Sequence, residues 1–327
     1  MKNLYLVAFA ILFAFQADAQ TKKYPLLEHF TNSWCSICAS RNPAFYNALT
    51  NYQDQVHHIS IHPSIPYQGC IFYQANTADN NARKDYYNVF STPRVFANGT
   101  LTSNSTLITT AQLDQYTSEM SNLGIQVTET GFNSRTATVE VFTFGTAPSG
   151  NLKIFAALVE KEINYAAPNG ENLHHDVLRK FVTSNQGDTF TPAQDGGKVT
   201  INYTYSIESG WAEPEMYLLV WIQDIDTKEV FNSGTRFDET ISSVSSTNDE
   251  MLMIAPNPTS SFVNVTVENG KVQNLILSDL NGKTVFQMQN LNATGTFEVP
   301  MKDLNKGVYL LRIETNNGVQ LEKIVKQ

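Results

Sequence analysis

The sequence is poor in cysteine, in charge and in long hydrophobic runs. Its 327 residues include three cysteines, too few for a scaffold that depends on several disulfides. Charged side chains make up 16% of the chain, against about 25% in an average globular protein. With hydrophobic residues at 42%, this composition excludes a long charged disordered protein, a coiled coil and a collagen-like chain.

Positive charge is scarce as well. The chain has 22 Lys and Arg against 31 Asp and Glu, a net charge of −9, and no basic cluster. Because binding of a phosphate backbone needs concentrated positive charge, the sequence disfavours nucleic acid as a partner. The length predicts two or three domains, at about 100–200 residues each.

The N-terminus has the pattern of a secretory signal peptide. Lys2 precedes an apolar run at residues 4–15, and Ala17-Asp18-Ala19 matches a small-x-small cleavage site. We therefore expect a signal peptide at 1–19 and a mature chain that begins at Gln20. An uncleaved anchor is the less favoured alternative, because a spanning helix needs about 20 apolar residues. An exported chain meets an oxidising compartment.

Two cysteines, Cys35 and Cys38, form a C-x-x-C motif between a predicted strand at 24–31 and a predicted amphipathic helix that includes 44–49. At a helix N-terminus, the dipole and free backbone N–H groups stabilise a thiolate. The motif therefore predicts Cys35 as the attacking, solvent-reachable sulfur and Cys38 as the shielded, resolving one. A permanent structural disulfide is the alternative. Cys70 is interpreted as a lone, shielded thiol.

Three further residues accompany the motif. Trp34 precedes Cys35, Pro43 follows Cys38 by five residues, and Pro93 opens a predicted strand. On these features, residues 24–120 resemble the thioredoxin superfamily. The resemblance implies a cis peptide bond before Pro93, which would lie beside the motif.

One position departs from that superfamily. Thioredoxins carry a buried acid six residues before the first cysteine, and here that position is His29, with Glu28 one residue earlier. Histidine can relay a proton near neutral pH, so His29 is the candidate base for the resolving step. No cofactor or metal is expected: His57 and His58 are adjacent on a predicted strand, which sends them to opposite faces.

Beyond about residue 122 the apolar residues alternate in short runs, which predicts an antiparallel, immunoglobulin-like β-sandwich over 122–240. This domain contains the stretches 161–165 and 174–179 and no constellation typical of catalysis. With these stretches, residues 24–240 are similar to the Bacteroidetes-type outer-membrane protein 28 family. That resemblance implies the cell surface and assigns no chemistry.

A Ser-rich linker is predicted at 241–250 and a small β-sandwich at 251–327. The latter resembles the type A C-terminal sorting domain of the type 9 secretion system. The matching residues are Pro256, Asn257, Pro258, Gly307, Tyr309, Lys323 and Lys326. The resemblance implies export through that machinery, removal by its sortase, and either release or attachment to surface lipopolysaccharide. The alternative is an appendage such as a carbohydrate-binding module.

The expected architecture is thus an α/β thioredoxin-like domain at 20–121, an all-β sandwich and a sorting domain. Two functions stay open. One is an exported thiol–disulfide oxidoreductase that acts through Cys35 and Cys38 on protein thiols and disulfides. The other is a non-catalytic surface binding or adhesion protein in which the thioredoxin-like fold is a scaffold.

Overall fold

The computed structural model describes residues 20–103, 105–241, 252–280, 282–315 and 318–327. The predicted signal peptide, and the predicted linker apart from its first residue, lie outside them. The chain divides into two units, Met1–Ser242 and Ser243–Gln327, and strands make up 47% of it against 15% helix. Among the described residues, no helix has the length and apolar character needed to cross a membrane.

The first unit contains helices and strands. Its helices are α1 (Ser36–Leu49), α2 (Ile71–Ala75), α3 (Thr77–Tyr86) and α4 (Thr110–Thr117), with 3-10 turns at Thr50–Tyr52 and Glu213–Glu215. Its strands are β1 (Thr21–Lys22), β2 (Leu26–Phe30), β3 (His57–Ile61), β4 (Arg94–Ala97), β5 (Thr100–Leu101), β6 (Met120–Ser121), β7 (Leu123–Gly131), β8 (Ser134–Thr143), β9 (Leu152–Asn164), β10 (Leu173–Phe181), β11 (Asp188–Thr189), β12 (Lys198–Ser206), β13 (Met216–Asp224) and β14 (Val230–Gly234).

A nine-stranded sheet organises this unit, in the order β14-β13-β9-β10-β3-β2-β4-β5, with β11 beside β9. Strand β3 is parallel to both of its neighbours, β2 and β10, and it meets β10 where Ser60 lies opposite Val177. The sheet therefore runs across the predicted boundary between residues 121 and 122. A three-stranded sheet, β12-β8-β7, completes the β-rich part, and β1 and β6 form a separate two-stranded sheet.

Strands β9 and β13 are apolar on both faces because both faces are covered. On one face, Phe155 and Trp221 join a core that includes β2, β3 and the end of α3. On the other, Ile154 and Val220 pack with residues of the three-stranded sheet. On β2, Leu27 packs with residues of α1 and α4, so successive β2 residues face different cores.

A buried ion pair joins β2 to α3. Arg83 donates to Glu28 Oε1 from Nε and Nη2 at 2.8 and 2.5 Å, and both side chains are about 1% exposed. Tyr87 donates its hydroxyl to Glu28 Oε2 at 2.6 Å. Gln223, on β13, accepts from Arg83 at 3.2 Å. Three elements that are distant in sequence are therefore joined at one charged cluster.

The second unit is a six-stranded sheet. Its strands are β15 (Leu252–Ala255), β16 (Phe262–Asp279), β17 (Thr284–Met288), β18 (Ala293–Pro300), β19 (Gly307–Thr315) and β20 (Gly318–Lys326). The long strand β16 pairs with β15 and β18 over its first part and with β17 and β19 over its second. Its apolar residues include Val263, Val265 and Leu277 in one core.

We expect Arg83→Met to lower the free energy of unfolding of the first unit by about 3–5 kcal/mol, because it leaves the Glu28 carboxylate buried without its counter-charge. All three tryptophans of the chain lie in this unit, so denaturant unfolding followed by tryptophan fluorescence reports on it. Lys180→Ala, which breaks an ion pair between partly exposed side chains, is the control and should cost less than about 1 kcal/mol. Equal losses in the two variants would contradict the prediction.

Candidate functional site

The dithiol motif lies where β2 leads into α1. Cys35 has extended backbone angles and caps the helix: its Sγ accepts the backbone N–H of Cys38 at 3.1 Å. The predicted position of the first cysteine at a helix N-terminus is confirmed. One otherwise unpaired N–H of the first turn is thereby aimed at the sulfur that would carry negative charge.

The segment before β4 faces both cysteines. The Cys35 thiol points at the carbonyl oxygen of Thr92 with an S···O distance of 3.8 Å. The Cys38 thiol lies 3.4 Å from the Thr92 hydroxyl. The peptide bond between Thr92 and Pro93 is cis, as the resemblance implies, and Pro93 is buried. Trp34, Cys35, Cys38 and Pro93 therefore belong to one region of the fold.

The two thiols have opposite acidities. The pKa of Cys35 is lowered to about 6, chiefly by the hydrogen bond from the Cys38 side chain, and the backbone N–H groups of Ile37 and Cys38 add to this against the effect of burial. Burial raises the pKa of Cys38 far above its ordinary value. At neutral pH, Cys35 is thus a thiolate and Cys38 a thiol. Both are unpaired in this structure, as is Cys70.

The expectation of a solvent-reachable Cys35 is wrong for this structure. Cys35 is 2% exposed and Cys38 is 0% exposed. The reason is that the Cys35 sulfur is turned inward, towards the Cys38 N–H and the Thr92 carbonyl. The neighbouring side chains are open: Trp34 is 44% exposed and Ile37 is 53% exposed. A partner sulfur would therefore contact the apolar side chains of Trp34 and Ile37 before it reached Cys35.

Glu28 and His29 lie on opposite faces of β2. Glu28 is bound to Arg83 and Tyr87, so it is not available to the dithiol. His29 is fully buried, with its ring centroid 4.6 Å from that of Phe45. Burial, followed by the charges of His58 and His62, holds the pKa of His29 well below its usual value. His29 is therefore neutral at physiological pH, and its role as a base stays a prediction.

Sequence reasoning missed the residues that brace the motif from the β-rich part. Asn169, in the loop between β9 and β10, donates through Nδ2 to the carbonyls of Asn32 and Cys35 at 3.3 and 3.2 Å. Its backbone N–H donates to the Ser33 carbonyl at 3.1 Å. Glu171 accepts from Asn42 Nδ2 at 2.7 Å. No local pattern could reveal these contacts, since Asn169 and Cys35 are 134 residues apart.

The loop at 62–70 lies against the other side of the motif. Asn32 donates through Nδ2 to the carbonyls of Pro63, Ile65 and Tyr67, at 3.1, 3.2 and 2.9 Å. The Trp34 ring packs over Gly69, where a Cβ atom would come within 2.8 Å of it. A side chain at position 69 would therefore have to displace the Trp34 ring.

The histidines and Cys70 have structural partners. His57 contacts Ser233 and Asp238 at 2.8 and 2.9 Å, and His58 contacts Asp176 at 2.9 Å. Cys70 is fully buried, and its sulfur accepts from the Ser33 hydroxyl at 3.1 Å. In the parts of the chain that the structure describes, no three His, Cys, Asp or Glu residues gather in a metal-binding arrangement.

In the second unit, the Pro-Asn-Pro part of the predicted sorting motif follows β15 and contacts the last strand, β20. The Asn257 amide donates to the Lys323 carbonyl at 2.7 Å and accepts the Val325 N–H at 2.9 Å, while Pro256 and Pro258 both follow cis peptide bonds. Lys326 is buried and donates to the Ser260 carbonyl at 2.8 Å.

The remaining motif residues lie along the last hairpin. Gly307 begins β19 with a φ of +157°, and the buried Tyr309 donates its hydroxyl to the Asn305 carbonyl at 2.8 Å. Lys323 is exposed on β20. Among the predicted motif residues it is therefore an exposed cation, whereas Lys326 is built into the fold.

Comparisons with known families agree with two of the resemblances, those to the outer-membrane protein 28 family and to the sorting domain. Residues 80–235 match the family described as outer membrane protein Omp28, and residues 253–327 match the secretion system C-terminal sorting domain. The chain resembles the first family and carries the second domain. It is therefore secreted across the outer membrane to the cell surface, and its sorting domain interacts with the type 9 secretion machinery. A comparison with curated proteins finds no match.

The chain is similar to several solved structures. HBP35 of Porphyromonas gingivalis is 15% identical, with a TM-score of 0.57 over 94% of this chain and 99% of that one, which is a likeness of fold. A domain of the lipoprotein Omp28 from the same organism is 19% identical, with a TM-score of 0.27 over 35% and 86% of the two chains. A protein of Agrobacterium tumefaciens is 16% identical, with a TM-score of 0.44 over 68% and 98%.

The hydrogen bonds at Cys35 predict its alkylation profile. In the reduced protein, the rate at which iodoacetamide labels Cys35 should rise with pH about a midpoint near 6, because the thiolate is the reacting form and its pKa is lowered to about 6. Cys38→Ala removes the side-chain donor and should move the midpoint towards the free-cysteine value of about 8.5. Labelling is assigned by peptide mass.

Two controls accompany this measurement. Cys38→Ser retains a hydroxyl donor and should keep a lower midpoint than Cys38→Ala, and Cys70→Ser should leave the midpoint unchanged. A midpoint near 8.5 in the unaltered protein would show that these hydrogen bonds do not stabilise the thiolate.

Proposed function

We propose that this protein is an exported thiol–disulfide oxidoreductase whose Cys35 and Cys38 exchange electrons with a thiol or disulfide of a partner protein. The observation that carries the proposal is the N–H of Cys38 directed at Cys35 Sγ at the start of α1. A thiolate that is stabilised there at neutral pH is the species that attacks disulfides.

The proposal includes the finer assignment of the fold. Residues 20–121 would be the thioredoxin-like part, since β2 and β3 are parallel, β4 is antiparallel to β2, and α1 connects β2 to β3. Residues 122–240 would be the immunoglobulin-like part, since β7, β8 and β12 pack against β9 and β13 in one core.

In the reductive direction, the Cys35 thiolate attacks one sulfur of a partner disulfide. A Cys35–partner disulfide forms, and the other partner sulfur leaves as a thiolate and takes a proton from water. Cys38 then loses its proton and attacks Cys35 Sγ, which releases the second partner thiolate. The partner gains two electrons and the dithiol loses two. A second partner dithiol returns the protein to its starting state, and the reverse sequence oxidises a partner.

The different pKa values of the two thiols assign a different step to each sulfur. Cys35 has the lowered pKa and is therefore ionised before a partner arrives. Cys38 has the raised pKa and stays protonated, so it resolves the mixed disulfide only once Cys35 has ceased to be an anion. The negative charge of the Cys35 thiolate is itself among the causes that raise the pKa of Cys38.

A surface-binding function is the second candidate, and the burial of Cys35 favours it. Exposed side chains lie at the motif: Ile37, between the two cysteines, is 53% exposed, and Tyr67, whose ring centroid is 6.4 Å from that of Trp34, is 47% exposed. These side chains could form the contact surface of a scaffold whose dithiol is structural.

The proposal also includes removal of the sorting domain by the sortase, followed by release or by attachment to surface lipopolysaccharide.

Partner trapping separates the two functions. Cys38→Ser should accumulate mixed disulfides through Cys35 on the cell surface, because the resolving sulfur is gone, whereas Cys35→Ser should accumulate none. Non-reducing electrophoresis and mass spectrometry identify the adducts. Cys70→Ser is the matched control and should behave as the unaltered protein does.

The result that favours the binding function is equally clear. If Cys38→Ser and Cys35→Ser both lack adducts while the exported protein retains a reduced dithiol, the motif is a structural element and not a redox centre.

We expect deletion of residues 253–327 to leave a folded first unit in the periplasm, because the sorting domain forms a separate unit with its own core. Fractionation followed by mass spectrometry measures where the protein is and where it begins and ends. Intact chain should yield surface or medium protein that begins near Gln20. Export of the deletion variant at the normal level would contradict this prediction.

A further inference from the structure

The loop between β9 and β10, residues 165–172, has a conformation that is fixed by its own hydrogen bonds. Ala167 N–H donates to the Glu171 carbonyl at 2.8 Å, and Gly170 N–H donates to the Ala167 carbonyl at 2.9 Å. Within this closed loop, Asn169 Oδ1 accepts the N–H of Glu171 at 3.1 Å, and Asn169 Nδ2 donates to Glu171 Oε2 at 2.5 Å. Both ends of the Asn169 amide are therefore held by the loop that carries it.

Asn169 extends from this loop to the turn that carries Cys35. Its Nδ2 donates to the carbonyls of Asn32 and Cys35 at 3.3 and 3.2 Å, and its backbone N–H donates to the Ser33 carbonyl at 3.1 Å. The amide has two hydrogens. Since Glu171 Oε2 takes one of them, the carbonyls of Asn32 and Cys35 share the other. One residue thus holds three of the four carbonyls in the turn before α1.

Cys35 is the cap residue of α1, and its backbone conformation determines where its sulfur lies. A cap residue whose side chain accepts an N–H of the first turn has extended backbone angles. Cys35 has such angles, with φ −83° and ψ 109°. In this conformation Cys35 Sγ accepts the N–H of Cys38 at 3.1 Å. The stabilising contact at the sulfur therefore depends on the backbone of Cys35.

The two backbone angles of Cys35 set how the turn is oriented relative to α1. The helix itself fixes one side, since the Cys35 carbonyl accepts the N–H of Ala39 at 3.1 Å. Asn169 bridges both sides, because it donates to two carbonyls of the turn and to the carbonyl of Cys35. It therefore opposes rotation of the turn about Cys35.

We propose that Asn169 is a positioning residue of the dithiol: by bridging the turn and the first peptide of α1, it keeps Cys35 in the extended cap conformation in which its sulfur receives the Cys38 N–H. The inference rests on the proposed function, because it assigns a role in preparing the attacking thiolate. Without the amide, Cys35 can rotate towards helical angles, and the thiolate loses the N–H that stabilises it.

The test is the pH profile of Cys35 alkylation in the full-length, reduced protein. Asn169→Ala removes the amide and keeps the backbone N–H that donates to Ser33. Its midpoint should lie about one pH unit above the midpoint of the unaltered protein, the scale of one lost hydrogen bond to a charged group. The limiting rate at high pH should not fall, because a less acidic thiolate is the stronger nucleophile.

Three further variants separate hydrogen-bond donation from packing and from stability. Asn169→Asp keeps the shape of the side chain but a carboxylate cannot donate to the carbonyls, so it should raise the midpoint at least as far as Asn169→Ala. Asn172→Ala changes an exposed residue of the same type in the same loop and should leave the midpoint unchanged. Val139→Ala creates a cavity in the core at β8 and should lower the unfolding temperature without moving the midpoint.

Thermal unfolding shows whether each variant is folded. A normal midpoint in either Asn169 variant would overturn the proposal, and so would an equal rise in Asn172→Ala or Val139→Ala. Failure of the proposed function has a different signature: Cys38→Ser traps no partner, yet the midpoint of Cys35 still depends on Asn169. Failure of the inference leaves partner trapping intact while the midpoint no longer depends on Asn169.

Discussion

The ion pair between Glu28 and Arg83 is the contact on which the arrangement of the first unit depends most. It lies away from water between β2, which leads to Cys35, and α3, which leads to Pro93. Gln223 extends it to β13. The strand that leads to Cys35 and the helix that leads to Pro93 are therefore joined by the same charged cluster. Such a pair is costly to bury, and loss of one partner would leave the other charge buried without compensation.

The alternation of side chains along β2 places the Glu28 carboxylate on the face of the strand away from α1 and the dithiol. Because successive strand residues face opposite sides, Glu28 turns towards α3 and His29 towards α1. No acid of β2 therefore lies on the face that packs against α1. A carboxylate reaches the same helix from elsewhere, through Glu171 and Asn42. The site keeps a buried polar network while the strand position itself carries a neutral ring.

The sequence predicted features that depend on neighbouring residues, and it did not predict contacts between distant segments. The helix that starts after Cys35 depends on residues adjacent in sequence, whereas the cis bond before Pro93 and the opening motif at Pro256 were expected from family resemblances. The shared sheet and the contacts of Asn169 depend on packing between distant segments, and no period or spacing encodes them. The exposure of Cys35 was predicted wrongly for the same reason, since the inward turn of its sulfur depends on Thr92.

The position of the dithiol depends on contacts from both parts of the first unit. The carbonyl of Cys35, which accepts the helical N–H of Ala39, accepts as well from Asn169 of the β9–β10 loop. Strand β10, which follows that loop, pairs with β3 in the same sheet, so the loop has little freedom to move away from α1. The β-rich part is accordingly more than a separate binding module. It supplies the Asn169 amide that contacts Cys35 at the start of α1 and the Glu171 carboxylate that contacts Asn42 within the helix.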